Sequence, residues 1–552
     1  MKRIGFLLLS LYFVFSMACT GRARDGGTTT ASQSFDAVDP LGAYNPPIAI
    51  STARTVDPTL QFDRNNPDSR SLDENRWYQA IRERMGIDLE NKWVSPDSAS
   101  NNLRWNAAMA SGDLPDFANV TLDQYRLLYE GGFIADMTDI YANWATPDLK
   151  EIIPDVFFTP MTFDGRHMGF PLPNQAYHGG TLLFIRKDWL EQLNLPIPET
   201  YEEVIETAKK FQAANLGGND TIGILFSNII NNDFGAGKWD AFFNTFGAFL
   251  DYWVERDGRA VYNATLPEMR HALLEAQKLY SDGIINRDFA AIRSQNVLEY
   301  IAAGRAGIAY STSWSFMATQ TALHAANPNQ DLISIPAPPR SGMNVLYQTP
   351  NQPQPYYIFV NTRSRYPEAA VKIANLVWDI QRVRENYTYF ISDDTTFWFK
   401  FIPWGERFVR LLHDLENAAW IRDAEESGRF ELTREQLDSP FNPSDTYNTF
   451  KLAKEGLRPW LFVKALGPGG FYAHLYDIYQ SGQILDSVYK TIPTRTMALM
   501  GDTLYDELNT SIFDVIMGAD IAVFDRAVER WKINGGNQIT EEVNDWYRNV
   551  RR

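Results

Sequence analysis

From about residue 48 onward, short apolar runs of strand length alternate with longer stretches whose apolar residues recur every three or four positions. Strands of four to eight residues separated by amphipathic helices can bury themselves only as a sheet with helices laid on it, the α/β class. Thr181 to Ile185, Gly307 to Ser311 and Tyr356 to Val360 read as strands. Ser71 to Glu74 and Thr200 to Glu203 have the spacing of capping boxes, each opening a helix. The first helix carries Trp77, Ile81 and Met85 on one face and stops at Gly86; the second carries Val204, Ala208 and Phe211. Helices are also expected over 103–111, 187–195, 264–280 and 295–303, and after Pro367, which suits a first helical turn. Three more, around 497–517, 520–533 and 540–550, close the chain. Proline-rich joints at Gly169 to Pro173 and Ile335 to Pro339 interrupt this pattern twice. Two well-separated joints imply two lobes built from discontinuous segments, with a cleft between them.

Composition narrows the function. The chain has 552 residues, with 51 Lys and Arg against 68 Asp and Glu, a formal net charge of −17. Such a balance argues against a surface that tracks nucleic-acid phosphates. A single cysteine excludes a disulfide framework and a cysteine-based zinc cage. Aromatic residues make up 14%, including 15 Trp and 26 Tyr, enough to supply stacking platforms for a ligand with flat apolar faces as well as large cores.

The one cysteine stands at the end of an export-type segment. Lys2 and Arg3 precede an apolar stretch from Ile4 to Val14, and small residues lead to Ala18 and Cys19. The stretch is too short for a comfortable membrane span. It resembles the bacterial lipobox, in which the thiol is acylated and becomes the new N-terminus, with Ser16 where leucine is usual. Residues 1–18 are therefore expected to be a signal peptide. Residues 19–47, rich in Gly, Thr, Ser and Asp, are expected to be a flexible tether from lipidated Cys19.

Several ordered motifs then carry a family resemblance. They are Ala110 to Asp116 (ASGDLPD), Phe163 to Gly165 followed by Gly169 to Pro171, Phe184 to Leu190 and Leu195 to Glu203. Gly304 to Ile308 followed by Trp314, and Trp531 to Gly536 followed by Ile539 to Tyr547, complete the set. In this order the chain resembles the lipid-anchored extracellular solute-binding proteins of carbohydrate-type ABC importers, most of all their long LipO-like branch. The resemblance runs from about Trp77 to Tyr547. It implies a two-lobed periplasmic-binding-protein fold with an enlarged helical C-terminus. Lobe I would take residues 48–170 and 336–400, lobe II residues 171–335, and 401–552 would belong mainly to lobe II.

The implied function is capture of an extracellular oligosaccharide and its delivery to ABC permease subunits by lobe closure, performed by a monomer. By the same resemblance Trp314 stacks on a sugar ring, with Tyr310 at the end of the strand before it. Asn174, Gln175 and Tyr177 follow the first crossing, Asp123 follows the strand after Asp116, and Trp239 lies on a ligand-side loop. Trp398 and Trp404 read as core rather than walls, and Tyr472, Tyr476 and Tyr479 fall at helical spacing.

No phosphate loop, His-Glu-x-x-His motif or nucleophile elbow occurs, so neither a catalytic residue nor a cofactor is expected. The loop from Asn215 to Asp220 offers one carboxylate and two amides, short of the six to eight oxygens calcium takes, so no metal site is expected. A surface carbohydrate-active lipoprotein enzyme, or a sensory or adhesive lipoprotein on the same fold, is the alternative.

Overall fold

A computed structural model describes residues 38–56, 60–173, 177, 179–230, 235–348, 356–391, 398–433, 443–456 and 461–550. The chain begins with β1 (Ile48–Thr55) and β2 (Ile87–Ser95), which pair in parallel from Ile48 opposite Ile87 to Thr55 opposite Ser95. Parallel strands need a crossover, and the helix Arg76–Met85 supplies it. The helix starts four residues later than the capping-box spacing predicts. Ser71 Oγ accepts from the backbone N–H groups of Asp73 and Glu74 and closes a turn of its own. The Asn75 side chain then caps the helix by accepting from the N–H groups of Trp77 and Tyr78. Gly86 ends it at φ +63°, where a Cβ would also collide with the Tyr44 carbonyl.

The helix Ser98–Ser111, capped by Asp97 and stopped at Gly112, leads into β3 (Phe117–Val120). A tight hairpin of β4 (Thr162–Phe163) and β5 (Arg166–His167) turns at Asp164 and Gly165, both at positive φ, as the Asp-Gly pair requires. β6 (Phe170–Leu172) follows and ends at the first joint.

The chain then crosses to a second sheet. β7 (Leu182–Arg186), β8 (Ile222–Leu225), β11 (Ala306–Ser311) and β12 (Leu332–Ile335) lie in the order β12–β7–β11–β8, beside a separate hairpin of β9 (Trp253–Arg256) and β10 (Arg259–Tyr262). Every residue of β7 and β11 is buried, as for strands covered on both faces. Helices Tyr201–Ala213 and Pro267–Ser281 are among those packed into this core, the first opened by the predicted Thr200–Glu203 capping box.

Lobe II keeps the chain longer than the Ile335 joint suggests, because β13 (Tyr347–Gln348) pairs with β15 (Ile484–Leu485) from the C-terminal segment. β14 (Tyr356–Val360) returns to lobe I and lies between β3 and β6, antiparallel to both, in a three-stranded sheet distinct from the β1–β2 pair. The helix Glu368–Gln381 and the aromatic stretch Trp398–Phe408 stay in lobe I, whose principal core includes Trp77, Phe117, Phe157, Phe170, Ile358, Trp398 and Phe401. Leu411 packs against the cores of both lobes and marks a third passage. Helices from His413 to Val550 then complete lobe II, among them Arg495–Ile516, Ala522–Trp531 and Asn537–Val550.

One expectation is corrected at the N-terminal end. Residues 39–47, predicted as tether, are docked on lobe I. Tyr44 donates its hydroxyl to Glu368 Oε1 at 2.8 Å and its N–H to the Met85 carbonyl at 2.8 Å. Lys372 Nζ donates to the Asp39 carbonyl at 2.7 Å and lies over the rings of Tyr44 and Trp144. A few directed contacts outweigh a composition that reads as coil. Cys19 and the signal segment lie outside the described residues. Among those described, no helix is long and apolar enough to cross a membrane.

Candidate ligand site at the lobe crossings

The first crossing enters lobe II at Tyr177, which holds φ +63° without being glycine. Such a conformation is uncommon for a large side chain and persists only where the surroundings fix it. Here the Tyr177 ring packs on Tyr479 with centroids 5.3 Å apart. Burial pushes the Tyr177 hydroxyl well above its ordinary range, and the nearby charge of Asp486 adds to the effect. Asp486 lies just past β15 and pairs through Oδ2 with Lys490 Nζ at 2.8 Å. Its Oδ1 is buried without a hydrogen-bond partner among the described residues. An acceptor left open beside aromatic rings is the pairing a sugar hydroxyl and its ring face can use. Asp486 and Tyr479 were not among the expected contacts. The sole sequence signal was the tyrosine run, and there Tyr479 stays partly exposed while Tyr472 is buried.

Two expected contacts are placed fully in the core, and Tyr177, at 7% exposure, is itself packed with the same cluster. Trp239 is 0% exposed, stacked on Phe226 with centroids 3.9 Å apart, and its Nε1 donates to the Ser227 carbonyl at 3.0 Å. Tyr310 is 1% exposed and stacks on the other side of the same cluster, 5.7 Å from Phe226. Neither ring has a face left for a ligand. Asp123 is exposed in the first turn of the helix Leu122–Glu130, where a carboxylate suits the N-terminal end of the helix dipole. The structure gives it no contact with the cluster around Tyr177. Asn174 and Gln175 lie outside the described residues, as does the side chain of Trp314, whose backbone forms the second position of the helix Ser313–Ala326.

Beneath this surface a charged pair ties lobe II together. Lys238 Nζ and Asp240 Oδ2 are 2.7 Å apart, and both side chains are 0% exposed. Asp240 also accepts from Thr181 Oγ1 at 2.9 Å and from the Ala241 N–H at 2.8 Å. The N–H groups of Gly237 and Lys238 both donate to the Tyr310 carbonyl. The exit of the first crossing is thereby fastened to the end of β11, directly before Trp314.

Lobe I presents the ends of β1 and β3 and the start of β14. Arg54, at the end of β1, donates to the carbonyls of Ile402 and Lys400, each at 2.7 Å. Asn119 donates to the Trp404 carbonyl at 3.5 Å. The stretch 398–408 thus lies against the end of β1 and against β3, with Trp398 and Trp404 turned into the core at 7% and 5% exposure. Among the described residues, no group of three or more His, Cys, Asp or Glu could hold a metal ion.

A family model for bacterial extracellular solute-binding proteins matches residues 75–377, which span the first two crossings. The chain belongs to that family. It is 25% identical over 512 residues to the lipoprotein LipO of Bacillus subtilis, covering 88% of this chain and 91% of LipO. It is 27% identical over 262 residues to the polygalacturonan/rhamnogalacturonan-binding protein YtcQ of the same organism, covering 45% of this chain and 48% of YtcQ. The solved structure of an HMO-binding, ABC-transporter-associated solute-binding protein from Bifidobacterium longum infantis superposes with a TM-score of 0.60 at 15% identity. That match covers 91% of this chain and 99% of the other. The two-lobed α/β fold of the solute-binding proteins is therefore the fold of this chain, as the sequence implied.

Proposed function

We propose that the protein binds an extracellular oligosaccharide between its lobes and delivers it to the permease of an ABC importer. The observation that carries this reading is the carboxylate oxygen of Asp486, buried without a hydrogen-bond partner among the described residues beside Tyr177 and Tyr479, where the chain enters lobe II. Trp314, at the start of the neighbouring helix, supplies the stacking face, with Asn174 and Gln175 reaching hydroxyls from the first crossing. Names of relatives support a sugar ligand: YtcQ is named for polygalacturonan and rhamnogalacturonan, and a Streptococcus pneumoniae relative for fructooligosaccharides. A ligand touching both lobes favours their closed arrangement by its differential affinity, and the permease reads that arrangement. The protein acts by binding, without catalysis, so an oligosaccharide incubated with it is expected to come back uncut.

A thermal-shift screen of the purified protein against an oligosaccharide library is the direct test. Ligand at 100 times Kd adds about 2.7 kcal/mol, a readable rise in melting temperature. For the ligand so found, Trp314→Ala is expected to weaken binding at least about tenfold, the 1.4 kcal/mol expected of one aromatic stack. The melting temperature of the ligand-free protein should stay nearly unchanged. A collapsed melting temperature, or unaltered affinity, would remove Trp314 from the site.

The export segment belongs to the same reading, with lipidated Cys19 holding the protein at the outer face of the membrane. Cys19→Ala is expected to move the protein from the membrane fraction to the soluble one. A variant that stays with membranes through a salt wash would show that another element holds it.

A further inference from the structure

The three chain crossings are not all that joins the lobes. Ile492, from the C-terminal segment, packs against a second lobe I cluster whose buried members all lie between Ala53 and Phe359, Val120, Tyr125 and Tyr357 among them. Its neighbours in the same segment, Ile484, Val488 and Tyr489, pack against the core of lobe II instead. We propose that residues 486–494 are a strap fixed to lobe II, and that Ile492 is the clasp by which the strap grips lobe I and favours the closed arrangement before any ligand arrives. The inference rests on the two-lobed fold, whatever the ligand.

Directed contacts tie the strap to lobe II along its length. At its start the Trp253 N–H donates to Ser487 Oγ at 3.2 Å, and the Val488 N–H donates to the Trp253 carbonyl at 2.8 Å. In its middle the Tyr489 ring meets Trp546 edge-on, with centroids 5.0 Å apart. At its end Thr494 Oγ1 accepts from the Met497 N–H at 3.2 Å and caps the helix Arg495–Ile516. Thr496 Oγ1 then donates to Glu542 Oε1 at 2.6 Å. The backbone of Ile492 is set as well. Its carbonyl accepts from the Tyr489 hydroxyl at 2.6 Å, and Pro493 after it disfavours a helical conformation. The side chain that meets lobe I is therefore presented by a piece of lobe II already held in place.

The grip on lobe I is of a different kind. Of the strap's apolar residues, Ile492 alone packs against that cluster, and it stays partly exposed. Partial burial of one branched aliphatic side chain biases a two-state equilibrium by roughly tenfold. Such a bias moves the balance between closed and open lobes without locking it. Where only the closed arrangement binds well, a larger closed fraction raises the apparent affinity by the same factor. The strap also begins at Asp486, which pairs with Lys490 at 2.8 Å. The carboxylate of the candidate site and the clasp on lobe I thus belong to one rigid piece.

Spin-label distances in the ligand-free, full-length protein read the clasp directly. Labels go on Leu103→Cys in lobe I and Leu499→Cys in lobe II, positions 71% and 74% exposed, in a Cys19→Ala background that removes the one native thiol. Ile492→Glu is expected to raise the share of the minor distance population about tenfold. The radius of gyration from X-ray scattering should rise with it, while the melting temperature stays near that of the wild type. Ile492→Val should behave as the wild type. An unchanged distance distribution in Ile492→Glu would overturn the inference. A falling radius of gyration would overturn it too, because the contact would then lie behind the hinge and oppose closure. Should Ile492→Glu fail to fold, Ile492→Ala carries the same comparison. No oligosaccharide enters these measurements, so a failed ligand screen would leave the clasp standing, and a failed clasp would leave the sugar-binding reading standing.

Discussion

Asp240→Ala is expected to lower the stability of the folded protein by about 3–5 kcal/mol, the usual consequence of stranding one member of a buried ion pair. Lys238 would remain 0% exposed, its ammonium without the carboxylate 2.7 Å away that Asp240 supplies. That contact is one of charge more than alignment, because Lys238 Nζ meets no well-aligned hydrogen-bond acceptor among the described residues. Thr181 Oγ1 and the Ala241 N–H would lose their acceptor as well. Urea denaturation of the wild type, Asp240→Ala, Asp240→Asn and the double variant Lys238→Met/Asp240→Leu apportions the effect. The amide keeps an oxygen for Thr181 and Ala241 but not the charge. The apolar pair is expected to recover much of the loss, since replacing both members of a buried pair is often neutral or stabilising. A loss below about 1 kcal/mol in Asp240→Ala would mean that water reaches Lys238 and that the pair is not the fastening described.

Trp239→Ala is expected to cost a similar amount, about 3–5 kcal/mol, the range for a tryptophan cut from a packed interior. The ring is enclosed by Phe226 in parallel stacking and by Phe242 and Phe289 edge-on, so the cavity has aromatic walls that cannot close over it easily. Trp239→Phe keeps most of that packing and loses the Nε1 bond to Ser227, a difference of about 1 kcal/mol. Thermal melts followed by near-ultraviolet circular dichroism read both. Should Trp239→Ala melt like the wild type yet bind its sugar poorly, the residue would belong to the ligand after all. Because Trp239 and Asp240 are neighbours in chain and in space, their losses are not expected to add.

Legibility in the sequence followed how local the deciding contacts are. The last three helices stand within about three residues of the periodicity that predicted them, because a long amphipathic stripe specifies its own helix. The strand Ala306–Ser311 was legible as an apolar run, and the turn at Asp164 and Gly165 from its dipeptide. β1 escaped notice, since Ser51, Thr52, Arg54 and Thr55 break any apolar run and its burial comes from the pairing with β2. Ser71 failed as a cap because Asn75, four residues on, offers its carbonyl to two N–H groups at once. The site was harder still. Asp486 and Tyr479 lie some three hundred positions from Tyr177 and meet it only through the fold. Nothing local to Trp239 says whether its ring faces a ligand or Phe226.

The docking of residues 39–47 has a mechanical meaning. Asp39 lies at the flank of the helix Glu368–Gln381, where Lys372 grips its carbonyl and Glu368 takes the Tyr44 hydroxyl. A protein moored through its N-terminus would therefore be moored by lobe I alone. In each opening and closing stroke lobe I would be the stationary jaw and lobe II, with the long C-terminal helices, the swinging one. The moving lobe would carry Tyr177 and Asp486 toward a waiting lobe I.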